Sequence, residues 1–170
     1  MKSTGSLNEG IMDYLMGSTG FADLRSQYRV EDLLESANKV SSGRVTNVAS
    51  KIKNFRGWNA VSPSFVIDRV FGLDYIALVG KEKIGFDFTV NPESIVEKQS
   101  KAKSLAPLWK SLGISKVVVL LTVYPDSEDQ GLAFLNKRAA EEELLSVIYD
   151  ASETTEEVSV AKVVFEPNND

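Results

Sequence analysis

Residues 72–90, GLDYIALVGKEKIGFDFTV, decide how this chain is read. Two strand-like segments, Asp74 to Val79 and Lys83 to Val90, flank a charged turn at Gly80 to Glu82. Asp74 opens the first segment, and Asp87 lies near the end of the second inside an otherwise apolar run. Burying a carboxylate is costly unless a partner or a metal compensates. Two such groups on neighbouring strands can share a hard cation such as Mg²⁺, which takes oxygen ligands. Asp87 and Thr89 are two residues apart and project to one side of their strand. Phe86, Phe88 and Val90 project to the other side and should pack against a helix.

On the C-terminal side, Asn91-Pro92-Glu93-Ser94 ends the strand and starts a helix that reaches about Leu112, where Gly113 stops it. Lys116 to Val123, KVVVLLTV, is a continuous apolar run that predicts a strand buried on both faces. Residues 133–149 predict a further helix, and Val158 to Phe165 a last strand. On the N-terminal side, residues 7–16 and 29–40 read as helices. A third helix, capped by Ser41 or Ser42, runs to Phe55 with Val45, Val48, Ala49, Ile52 and Phe55 on one stripe. Residues 57–63 are loop, and Ser64 to Val70 reads as a strand or edge piece. A hairpin followed by a β-α-β crossover implies an α/β fold with a mixed sheet flanked by helices. The 170 residues are expected to form a single domain with a helical N-terminal part, 1–60, a core, 64–123, and a C-terminal helix and strand, 124–170.

Composition removes much chemistry. The chain holds no cysteine and no histidine. Disulfides, thiolate zinc sites, Ser-His-Asp triads and imidazole bases are therefore excluded. Any catalysis runs on carboxylates, lysines, hydroxyls and metal-bound water. No apolar run is long enough to span a bilayer and no signal-peptide core is present, so the default expectation is a cytoplasmic location without a membrane partner. The net charge of −5 hides an asymmetry. Residues 44–116 hold 12 Lys/Arg against 6 Asp/Glu, whereas residues 117–170 hold 3 against 12. The basic segment contains the aspartate pair, and its charge suits a polyanion.

The helix–strand–strand–helix–strand order, with Asp74 in GLDYIAL and Asp87 in GFDFT, resembles the PD-(D/E)XK nuclease superfamily. The resemblance covers roughly residues 64–123 and implies a restriction-endonuclease-like mixed sheet with an αβββαβ core. It also implies a Mg²⁺-dependent nuclease, with Mn²⁺ as an alternative ion, acting on nucleic acid and compatible with a homodimer. Asp74, Asp87 and the main-chain carbonyl of Phe88 would hold the metal. An acidic residue of the first helix would join them, with Glu9 as first candidate and Glu35 as second. The chain departs from the pattern at two points. No proline precedes Asp74, and Thr89 stands where the family places its lysine. The following helix offers a substitute in Lys98, with Lys101 and Lys103 less well placed. Asp74, Asp87 and Lys98 are thus the expected catalytic residues.

Lys51, Lys53, Arg56 and Lys101 are the residues expected to touch a nucleic-acid backbone, with Trp58 available to stack on a base. A plainer account remains beside each of these. Asp74 then starts a strand, Asp87 accepts bonds from backbone or lysine, and Lys98 lays its stem over the sheet with its amine in water. Two further readings follow: the same fold without catalysis, serving binding or assembly, and an unrelated α/β interaction domain.

Overall fold

The computed structural model describes residues 4–39, 47, 50–52, 61–125 and 131–168. Its sheet has four strands, β1 (Tyr75–Val79), β2 (Glu82–Thr89), β3 (Ile114–Val123) and β4 (Val158–Val164), in the order β1-β2-β3-β4. β1 and β2 form an antiparallel hairpin, and β2, β3 and β4 run parallel. Helices α1 (Thr4–Ser18), α2 (Val30–Asn38), α3 (Pro63–Val66, continuing as a π turn over Ile67–Phe71), α4 (Ile95–Ser104), α5 (Ala106–Lys110) and α6 (Lys137–Glu153) cover it. The mixed α/β sheet expected from the hairpin and crossover is present. No described helix is long and apolar enough to cross a membrane.

Alternation along the strands builds two cores. Phe86, Phe88, Val118 and Leu120 face α1 and α6, meeting Met12, Leu15, Leu144 and Ile148. Ile76, Val117 and Val158 face the other helices, meeting Leu34, Phe71, Leu108 and Trp109. Phe86 and Phe88 thus pack against a helix, as the period-two pattern requires. Trp109 is fully buried, and its indole N–H donates to Ala102 O at 2.9 Å. That bond satisfies the one polar group carried inside with the ring.

Two elements differ from the sequence reading. Ser64 to Val70 is helical, not a strand. Ser62 caps this turn, its hydroxyl accepting the Phe65 N–H at 3.2 Å, and Pro63 occupies the first turn, where its missing N–H costs nothing. The last strand forms at Val158–Val164 as expected, so without a strand at Ser64 to Val70 the order is ββαβαβ and not the αβββαβ core. The helix expected from Ser94 to Leu112 breaks at Leu105, just before Pro107, because proline disfavours a continuous helix across that point. The third N-terminal helix lies largely outside the described residues; Ile52, its one described core position, is buried.

β1 is a sheet edge and the chain covers it. Leu24 N–H donates to Ile76 O at 2.8 Å, and Ile76 N–H donates to Asp23 Oδ1 at 3.4 Å. Gly72, at φ 71°, turns the end of α3 into β1. Only glycine adopts that angle without strain. A Cβ there would also meet Lys101 Cε at 3.1 Å.

Candidate functional site

The open end of the hairpin brings the two aspartates near each other. Tyr75 pairs with Phe86 as the last rung of the antiparallel ladder, and Asp74 lies one residue beyond it. Asp74 N–H donates to Phe86 O at 2.8 Å, so Asp74 and Tyr75 both face Phe86 in a local bulge, and Asp87 is near enough for its charge to act on the Asp74 carboxyl. The Asp74 carboxylate folds across the strand end, where Oδ2 accepts the Phe88 N–H at 2.8 Å. In an extended strand the N–H and C=O of one residue point to the same edge. The Phe88 carbonyl therefore points toward the Asp74 side, where β1 has ended. Asp87 and Thr89 sit at the C-terminal end of β2 beside parallel β3. Ligand sites of open α/β sheets form at such ends.

Lys98 reaches the same place from the second turn of α4. Its Nζ stands 3.2 Å from Asp87 Oδ1, with the lysine side chain 31% exposed and the aspartate side chain 10% exposed. Thr89 is buried and spent on the turn into α4. Its hydroxyl accepts the Asn91 N–H at 3.1 Å and shares a 2.9 Å bond with Ser94 Oγ. The strand position therefore holds the turn, and the helix supplies the amine. Replacing Thr89 with valine should cost about 1 kcal/mol of stability through the lost turn bonds. Urea unfolding checks this, and any activity per folded molecule should stay within twofold of wild type.

The electrostatics are those of crowded carboxylates. Burial, then repulsion from Asp87, pushes the Asp74 carboxyl up to about 9, against the lowering effect of the Phe88 N–H. Glu9 and Asp68 push it further in the same direction. Glu9 is itself raised, by burial first and then by Asp68, while Arg25 lowers it; Asp87 and Lys98 act on it more weakly with opposite signs. The first-helix glutamate expected at the site is thus within electrostatic reach of it. Asp68 was hidden by the strand reading of its segment; it sits on the π turn of α3, and such turns recur at functional sites. Arg25 was also not anticipated. It pairs with Asp23 at 2.9 Å and donates to Leu73 O at 3.4 Å, beside Asp74.

Among the described residues, no three acidic side chains converge into a ready-made cation cage. Two carboxylates suffice for Mg²⁺, which commonly keeps several waters. Asp74 engages Oδ2 and Asp87 engages Oδ1, so each keeps one oxygen without a protein hydrogen bond among the described residues. An all-oxygen donor set in which burial and Asp87 disfavour the ionised form of Asp74 fits a hard divalent cation, which would stabilise that form.

The four expected nucleic-acid contacts separate. Lys101 lies on α4 one turn beyond Lys98, with its amine against Gly72, two residues from Asp74. Lys51 is exposed and borders a small apolar cleft with Ile52, Val61 and Phe65. No described contact joins Lys51 to the aspartates, and Lys53 and Arg56 lie outside the described residues. Glu35, the second choice for the first-helix acid, is exposed on α2 and pairs with Lys39 at 3.7 Å. No family model matches the chain, and no curated protein or solved structure matches it.

Proposed function

We propose that the protein is a Mg²⁺-dependent nuclease of the restriction-endonuclease-like type, hydrolysing nucleic-acid phosphodiester bonds. The observation that carries this reading is the Lys98 amine 3.2 Å from Asp87, the residue whose charge acts most strongly on Asp74. Asp74, Asp87 and the Phe88 carbonyl would hold the ion, with Glu9 and Asp68 contributing negative charge nearby. Bound there, Mg²⁺ supplies Lewis acidity and lowers the pKa of a coordinated water. The residues do the rest. The Phe88 N–H fixes the Asp74 carboxylate, leaving its second oxygen outward. Lys98 offers N–H bonds to the attacking water or to a phosphate oxygen, where developing charge is best met by a fixed cation. Lys101, next along α4, attracts the backbone of the substrate.

A second reading keeps the scaffold without hydrolysis, as a binding or assembly module. The Asp87–Lys98 ion pair also supports it, since a paired carboxylate can be purely structural. Cleavage of duplex, branched and single-stranded DNA and RNA, with Mg²⁺, Mn²⁺ or EDTA, decides between the two. Metal-dependent cutting that disappears in a folded Asp87→Ala variant is the expected result. No cutting of any substrate, with protein folded in the metal, overturns the nuclease reading.

A further inference from the structure

The second edge of the sheet is treated differently from the first. β1 is covered by Asp23 and Leu24, whereas among the described residues β4 has a strand on one side only. Val117 N–H donates to Glu157 O and Phe165 N–H donates to Val123 O, so the odd-numbered residues of β4 bond to β3. Val158, Val160, Lys162 and Val164 then point their N–H and C=O groups outward. Glu143 Oε1 accepts the Val164 N–H at 3.0 Å and closes that end. Among the described residues nothing pairs with the stretch from Val158 to Lys162, where Val160 is 41% exposed, beside a cleft of about 370 Å³ that reaches α6 at Val147 and Ala151. Open edges of β-branched residues pair with further strands unless something blocks them.

We propose that β4 pairs antiparallel with β4 of a second copy of this chain, joining two sheets into one. The charges select this occupant. Lys162 lies at one end of the open stretch and Glu156 just before the other, and neither has an ion-pair partner among the described residues. A twofold centred on Ser159 sets Lys162 of each copy against Glu156 of the other and Val160 against Val158. Val158, Val160 and Lys162 are outward-bonding positions of β4, while Glu156 lies just before the strand, its N–H taken by the Thr154 hydroxyl, and contributes its charge. A self-complementary patch of this kind is what a twofold interface requires. The inference rests on the edge alone and stands apart from the proposed nuclease activity.

Sedimentation equilibrium of the full chain tests it. The wild type should be dimeric at about 100 µM. Lys162→Glu, which sets like charges against each other, should weaken dimerisation at least about tenfold. Glu156→Lys combined with Lys162→Glu should restore it. Circular dichroism confirms that each variant is folded. A monomeric wild type at that concentration overturns the proposal, as does a dimer indifferent to Lys162→Glu. Loss of dimer in the double swap overturns the register on which it rests.

Discussion

Asp74→Asn is expected to stabilise the metal-free protein by about 2 kcal/mol at pH 8 while abolishing Mg²⁺-dependent cleavage. The sign follows from proton counting. An aspartate in the unfolded chain titrates near 4, whereas Asp74 in the fold is pushed up to about 9. Between those values the native state holds a proton that the unfolded state has lost. Stability therefore falls as pH rises through this window. Full conversion of the shift would give a larger figure, which the sharing of charge with Asp87 and the remaining solvent contact reduce. Asparagine carries no charge, yet its side-chain oxygen still accepts the Phe88 N–H. The variant should match the wild type at about pH 4 and pull ahead steadily to about pH 9. Urea unfolding in EDTA across that range measures the gap, and parallel curves would sink the idea. Added Mg²⁺ should narrow the gap by stabilising only the wild type, because a ligand that binds the native state adds to its stability. A substitution that strengthens the fold and removes activity marks a residue kept for chemistry.

The hairpin was legible because two independent periodicities agree there. Tyr75 to Val79 and Glu82 to Thr89 carry β-branched and aromatic residues around a two-residue turn at Gly80 and Lys81, so the strand register follows from counting. Lys98 was legible because it interrupts the apolar side of a helix that must pack over the strand end holding Asp87. Ser64 to Val70 misled for a physical reason. SFVIDRV has the composition of a strand, and a cap at Ser62 with Pro63 behind it commits the segment to a helix. With that helix misread, Asp68 could not be placed near Asp74. Arg25 is a different failure. It reaches Leu73 across 48 residues of sequence, from a three-residue 3-10 turn whose local signal is Asp23 two residues before it. Long-range contacts of loop residues leave no periodic trace.

Lys98→Ala is expected to lower the cleavage rate by about 10²- to 10³-fold and to cost about 2 kcal/mol of stability without metal. The two losses have separate causes. The Asp87 side chain is 10% exposed, so removing the cation it pairs with leaves a poorly solvated carboxyl group without its ionic partner. Divalent metal should restore much of the stability, because a cation between Asp74 and Asp87 compensates them without the lysine. It should not restore the rate, since a metal cannot replace a second donor near the nucleophile. Lys98→Arg keeps the charge and should recover most of the stability with part of the rate, the guanidinium being broader than the amine. Single-turnover cleavage beside urea unfolding, each with and without Mg²⁺, separates these effects. If Lys98→Ala loses stability but cuts at the wild-type rate per folded molecule, the amine is structural and the water is activated elsewhere. The position of the amine makes this division informative. Thr89 binds the turn through Asn91 and Ser94, so a lysine there would sacrifice the start of α4. Carrying the amine on α4 keeps the turn and the cation together. The same turn then becomes part of what positions Lys98, and loosening it should move the rate only as far as it moves that helix.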